Sequence, residues 1–338
     1  MWVAADESGT TGEDLLSDQP VMAHATVRID DHTAAEVLAD LRARARSIQA
    51  EELKFRHVRR GRAAEVLAEM LVPGGALAGR VNLVVAFKPY MAVSKVIDLL
   101  IEEWANEQGI DLYEGRRART MARTLFRDGP RGLGEMWSPF LDAFVRLARP
   151  SQTGRPEERL EAFFTVVEGA QRRNHRRSLD PILFMLGRSA QHAEDLVAAI
   201  NREDEPLLSS LDPHVALLPD SLRYWYREIG KPYRLLHDEH VVLTSRMVTQ
   251  TMTGLANRFP GIPWGGRAEL ALFGVGTSHA HPSIQLADLV AGAGRTLTSD
   301  FLNDTTTLPP SLTDALTPAI TWGLLPDDSF WKRRRYFP

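Results

Sequence analysis

The chain opens Met1-Trp2-Val3-Ala4-Ala5-Asp6-Glu7-Ser8-Gly9. Apolar residues run straight into two adjacent acids and then a Ser-Gly pair, and Ser and Gly favour turns. The stretch therefore reads as a short, mostly buried strand with Asp6 and Glu7 at its carboxyl end. In α/β sheets, ligands and catalytic groups gather at such strand ends. Side chains alternate along a strand, so only one of the two acids can point into a given site. The rest of the chain has to supply its partners.

Working outward, V-M-A-H-A-T-V-R-I predicts a second strand over 21–29. Asp31 or Thr33 is placed to cap a helix running to about 47, and a second helix follows over 61–71, ended by Pro73-Gly74-Gly75. The continuous apolar run of R-V-N-L-V-V-A-F-K, 80–88, predicts a buried central strand. The segments 91–107, 116–126, 135–148, 157–173 and 181–203 all read as helical. Strand character returns with P-Y-R-L-L-H at 232–237, which ends at Asp238-Glu239; a helix over 240–257 and a strand over 268–276 follow. Ser278 to Pro282 is a loop, and Ser283 begins a helix. Strands flank the helical middle, which predicts an α/β core, 1–90 and 220–300, interrupted by a helical insertion, 91–219. Residues 301–338 read as a C-terminal arm over the surface.

The composition, 44% hydrophobic and 25% charged over 338 residues, is that of an ordinary globular chain. The absence of cysteine excludes disulfides and thiolate metal sites. No signal peptide and no apolar run of about 20 residues is visible, so a cytoplasmic protein that does not enter membranes is expected. The net charge of −4 argues against general polyanion binding, yet the basic residues are clustered and nearly all are Arg. Arg56, Arg59 and Arg60 form one cluster with Arg62; Arg116, Arg117, Arg119 and Arg123 form another. Arg172, Arg173, Arg176 and Arg177 form a third, and Lys332 to Arg335 a fourth. Arg forks suit phosphates, and local patches can hold nucleic acid despite an acidic total. No H-E-x-x-H, P-loop or G-x-S-x-G pattern occurs, so the familiar zinc, nucleotide and nucleophile-elbow chemistries lack support.

The acids recur in one setting. Asp6/Glu7 and Asp238/Glu239 end strands, Asp288 lies on the helix that follows the strand over 268–276, and Glu51/Glu52 lies near the first helices. Two carboxylates ~4 Å apart repel by about 4 kcal/mol at an effective dielectric of 20. A divalent cation removes that cost, and carboxylates are the ligands Mg²⁺ and Mn²⁺ prefer. Each acid also has a plainer use. Asp6 can accept turn N–H bonds, Glu52 can pair with Lys54 or Arg56, and Asp238 can cap the helix near His240. Asp288 has the fewest plain uses, because its neighbours Ile284, Leu286, Ala287, Leu289 and Val290 are apolar. His237 and His240 read as hydrogen-bonding neighbours of Asp238-Glu239 rather than as ligands.

D-E-S-G on the first strand, E-L-K after the first helix, H-D-E after a late strand and S-I-Q-L-A-D-L-V-A-G-A near the end resemble, in this order, the domain-of-unknown-function family 3800. The resemblance covers about 1–90 and 220–300 and implies a ribonuclease H-like mixed sheet flanked by helices. It also implies an acidic metal site made by Asp6, Glu52, Asp238 and Asp288, with Glu7, Glu51 and Glu239 as alternatives. His279, in the loop before the last helix, would assist proton transfer or product departure. The expected function is a nuclease dependent on Mg²⁺ or Mn²⁺, acting on RNA, DNA or a hybrid. Lys54, Arg56, Arg59, Arg60, Arg172, Arg173 and Arg176 would contact the nucleic acid. The competing expectation is a non-catalytic module whose carboxylates are structural and whose helical insertion binds a nucleic acid or protein partner.

Overall fold

A computed structural model describes residues 1–45, 52–149, 155–201, 211–230, 232–240, 248 and 270–326. The opening stretch forms β1 (Trp2–Ser8), followed by β2 (Val21–Val27) and β3 (Val81–Phe87). Later come β4 (Tyr233–Asp238), β5 (Leu270–Gly276) and β6 (Ile320–Leu324). All six join one mixed sheet in the order β5-β4-β1-β2-β3-β6. β1, β2 and β3 run antiparallel in succession, β4 lies parallel to β1, β5 parallel to β4, and β6 parallel to β3. Every residue of β2 is buried, as its near-continuous apolar run requires of a strand covered on both faces.

Alternation along the strands sorts the chemistry onto two faces. One face packs against α1 (Asp31–Ala45), α3 (Gly61–Leu71) and the long helix α12 (Pro282–Asn303); Ala23, Ala25, Leu83 and Val85 meet Leu286, Leu289 and Val290 there. Between α1 and α3 lies the single turn α2 (Phe55–Val58). α12 comes very close to its neighbours, since a Cβ on Gly292 would stand 2.5 Å from that of Phe55. The opposite face carries Val3, Ala5 and Leu235 against Leu218, Leu222 and Trp225 of α11 (Pro213–Ile229).

The helical middle has a core of its own. α4 (Lys88–Val96) passes through a π turn, Ile97–Ile101, into α5 (Glu102–Glu107). Around it stand α6 (Arg117–Leu133), α7 (Trp137–Ala148), α8 (Pro156–Arg173), α9 (Asp180–Arg188) and α10 (Ala190–Asn201), closed over Phe140, Phe144 and Phe163. The single helix expected over 181–203 is two, divided at Ser189, whose Oγ bonds back to the Leu186 carbonyl.

Two other expectations need correction. Residues 213–229, which carried no helix in the sequence reading, form α11 and pack on the sheet. Residues 310–324, read as part of a surface arm, form α13 (Pro310–Leu316) and the edge strand β6. Leu312, Leu316 and Ile320 are fully buried, which ties this segment into the sheet core. The helix expected over 240–257, Glu51 and the Lys332–Arg335 cluster fall almost wholly outside the described residues. No helix among the described residues is long and apolar enough to cross a membrane.

Candidate metal centre

β1 and β4 run side by side, with Ala5 opposite His237, so Asp6 and Asp238 leave adjacent strand ends on the face covered by α12. Asp288 projects from α12 toward the same place. Asp6 is buried, its Oδ1 accepting the Glu7 N–H at 2.6 Å. Burial pushes its carboxyl well above the usual range, and the charges of Glu7, Asp288 and Asp238 push it further. Asp238 and Asp288 are also raised, burial again leading. Burial and neighbouring acids thus raise all three carboxyls, and Lys54 offsets part of this for Asp238 and Asp288.

Glu52 and Lys54 close the same site from the loop before α2. Lys54 Nζ lies 2.9 Å from Glu52 Oε1 and 3.0 Å from Asp288 Oδ2. Burial disfavours the Lys54 cation, but its two carboxylate partners outweigh this and push it up to about 12. Glu52 also accepts from Ser278 Oγ at 2.6 Å; that bond and Lys54 keep its carboxyl low, with His279 adding a smaller electrostatic pull. The structure thus brings Asp6, Asp238, Asp288, Glu52, Lys54 and exposed His279 within electrostatic reach of one another, while no three of these carboxylates have ligand atoms within 4.8 Å of one another.

A cleft of about 470 Å³ opens beside it, lined by Glu52, Asp288, Lys54, Arg56, Arg59 and Arg295 but not by Asp6 or Asp238. Arg60 and the α8 cluster do not line this cleft. Arg172 pairs with Glu168 at 3.5 Å and Arg173 with Glu135 at 3.9 Å, both on the surface of the helical half. Arg176 stands near Asp128 there.

Local structure explains why the site holds its shape. Gly9 adopts φ +87°, and a Cβ there would stand 2.2 Å from the Val21 carbonyl oxygen, so the turn after the two acids requires glycine. Lys88, fully buried, donates to the Gly9 carbonyl (3.0 Å), Thr11 Oγ1 (2.7 Å) and Ser17 Oγ (3.0 Å), which anchors the loop that follows. Asp31, the first residue of α1, accepts from the Ser283 N–H, Ser283 Oγ and His281 Nδ1. It therefore caps α12, the helix that carries Asp288, from another element.

The other face holds a group that the sequence reading missed. Glu7 points there and meets His214, His237 and His240, with His24 behind them. Asp212, the N-cap of α11, accepts from the His214 backbone N–H at 2.9 Å and from its Nδ1 at 2.8 Å. Burial disfavours the His214 cation, yet Asp212 and Glu7 outweigh it and raise this imidazole to about 9. His237 is driven down to about 4 by burial, which outweighs the pull of Glu7. His237 does hydrogen-bond its neighbour, through Nδ1 to the Asp238 backbone carbonyl at 2.9 Å, while the Nε2 atoms of His237 and His240 stand 4.0 Å from Glu7, across the sheet from the three aspartates. Only a period-2 reading of H-D-E beside D-E could have signalled this. His214 carried no signal, because α11 itself was not seen.

Compared with family models, with curated proteins and with solved structures, the chain matched none.

Proposed function

We propose that this protein is a divalent-metal-dependent nuclease built on a ribonuclease H-like core. The observation that carries the reading is that Asp6 and Asp238, on adjacent strand ends, and Asp288, on the facing helix, lie within electrostatic reach of one another, and that Asp288 also lines a cleft with Lys54, Arg56, Arg59 and Arg295. The strand order, with three antiparallel strands followed by two parallel ones added beside β1, supports the same core, as does the order of the D-E-S-G, E-L-K, H-D-E and S-I-Q-L-A-D motifs.

The donor set fits Mg²⁺ or Mn²⁺. It is all carboxylate oxygen, and the Asp6 carboxyl is raised by the charges around it as well as by burial; Asp288 Oδ2 is occupied by Lys54 Nζ at 3.0 Å, which an ion would have to displace. Asp6, Asp238 and Asp288 would hold the ion, with Glu52 at the open side. Such an ion supplies an activated water and charge stabilisation for phosphodiester hydrolysis. The chain's own residues do the rest. Arg56, Arg59 and Arg295 hold the phosphate backbone, and Lys54 neutralises Glu52 and Asp288 until substrate arrives. His279, exposed and within electrostatic reach of Glu52, would pass a proton to the departing product.

A second reading rests on Lys54. Its ammonium already bridges Glu52 and Asp288, so the carboxylates can be a structural network in a nucleic-acid-binding module that does not cleave. Asp6→Asn and Asp288→Asn separate the two. For a nuclease, each variant keeps or slightly raises the melting temperature without divalent ions, because one repelling charge is gone. Each also loses Mn²⁺-induced stabilisation and at least about a hundredfold in cleavage of single-stranded and hybrid substrates. Wild-type protein that shows no divalent-dependent cleavage, or variants that cleave as well as wild type, would leave the binding module.

A further inference from the structure

The buried group on the opposite face of the sheet does not belong to that reaction. It is walled from Asp6, Asp238 and Asp288 by the sheet itself. Two of its imidazoles are held in a fixed tautomer. His214 Nδ1 lies 2.8 Å from a buried carboxylate oxygen of Asp212, an acceptor, so Nδ1 carries hydrogen and Nε2, which faces Glu7, is the end that would give up its proton to an ion. His237 Nδ1 lies 2.9 Å from the Asp238 carbonyl oxygen, so it carries hydrogen as well. Both Nε2 ends converge on Glu7, and the three ligand atoms lie within 4.8 Å of one another. Orientation of a ligating imidazole by a carboxylate or carbonyl at its other nitrogen is the usual support for a metal-binding histidine.

The contact at the centre is unsatisfied as it stands. His214 Nε2 and Glu7 Oε2 are both buried without a hydrogen-bond partner, and they are 3.4 Å apart. The side chain of His214 is 0% exposed and that of Glu7 is 9% exposed. A charge-assisted N–H···O bond would close to ~2.7–2.9 Å. Two donors bound to one tetrahedral ion at ~2.0–2.1 Å stand ~3.3–3.4 Å apart.

We propose that Glu7, His214 and His237 form a binding site for one borderline divalent transition ion, of which Zn²⁺ is the type, distinct from the carboxylate centre. Two imidazole nitrogens and one carboxylate favour such an ion over Mg²⁺. His240, with its Nε2 4.0 Å from Glu7 Oε1 and its side chain 12% exposed, is a fourth candidate ligand. His24 is the internal competitor. Its Nε2 lies 3.1 Å from His237 Nε2, and its Nδ1 lies 2.9 Å from Ser221 Oγ. The serine hydroxyl can accept as well as donate, so His24 can move its proton to Nδ1 when the His237 lone pair turns to an ion.

The test uses full-length protein stripped with a chelator. Co²⁺ is added as a visible probe and Zn²⁺ in competition with a chromophoric chelator. The expected result is one Co²⁺ per chain with d–d bands in the visible, displaced by Zn²⁺. It is retained in Asp288→Asn and lost in His214→Gln and His237→Gln. Asp212→Asn, which frees the imidazole of His214 without removing it, weakens Zn²⁺ by about ten- to a hundredfold. If the histidine variants do not fold, ¹⁵N-histidine spectra of wild type decide: Zn²⁺ should shift two Nε2 resonances. Absence of Zn²⁺ binding, binding lost in Asp288→Asn instead, or spectra in which no Nε2 resonance moves would overturn the site. The cluster would then be an ion pair between protonated His214 and Glu7.

Discussion

At the residue scale, two residues decide whether the opening stretch can present its acids. Gly9 meets both of glycine's special demands, a positive φ and a backbone approach no Cβ can share. Gly9→Ala should cost about 1–3 kcal/mol of stability, measured by urea denaturation, and Mn²⁺ affinity should fall with it because Asp6 lies three residues away. Lys88 acts from beneath. Burial, which outweighs the nearby charges of Asp14 and Asp18, lowers its ammonium from 10.5 to about 8. Between those values the unfolded chain holds a proton that the folded chain has released, so stability rises with pH across that window. Denaturation of wild type and Lys88→Met at pH 7, 8, 9 and 10 should show the difference moving in favour of wild type as pH rises. A difference flat from pH 7 to 10 would place the Lys88 pKa at its ordinary value.

At the scale of elements, the site depends on how α12 is seated. Asp31 satisfies an N-terminal N–H of this helix from the start of α1, and its carboxyl is lowered by bonds to His281 and Ser283 that outweigh burial. Asp31→Ala should cost about 0.5–2 kcal/mol, read by thermal melting, and should weaken Mn²⁺ more than a surface Asp→Ala does. Most elements were legible before the structure. The period-2 alternation of β1 required Asp6 and Glu7 to part, and they do. The apolar run 80–88 required a central strand, and β3 is one. α11 was not legible because Pro213 and Pro219 break the helical pattern; Pro213 sits in the first turn, where proline is tolerated. β6 escaped because Ile320–Leu324 has five residues, follows a Pro- and Thr-rich stretch, and shows its worth only when Ile320 reaches Leu83.

At the scale of the molecule, the two faces of one sheet separate two chemistries. Adjacent residues, Asp6 beside Glu7 and His237 beside Asp238, send oxygen ligands to the α12 side and a mixed nitrogen–oxygen group to the α11 side. The second group is assembled from chain positions about 200 residues apart, and no local pattern announces such a meeting. Charge is divided in the same way. With a net charge of −4, binding of a polyanion has to come from a local field, and the cleft concentrates Lys54, Arg56, Arg59 and Arg295 beside Asp288. The α8 arginines instead spend their charge on Glu168 and Glu135. The sequence alone ranked these clusters as equals, because pairing is a tertiary property. Their contributions should therefore differ. Arg56→Glu with Arg59→Glu should weaken single-stranded oligonucleotide binding at least tenfold in about 0.1 M salt. It should also flatten the dependence of log K on log salt by ~0.7 for each phosphate that is no longer neutralised. Arg172→Glu with Arg173→Glu should leave both quantities within twofold of wild type. Fluorescence anisotropy across a salt series, with Ca²⁺ in place of Mg²⁺ to suppress cleavage, reads both. If the α8 pair flattens the slope as much as the cleft pair does, the nucleic acid runs over the helical half as well, and the footprint is larger than the cleft.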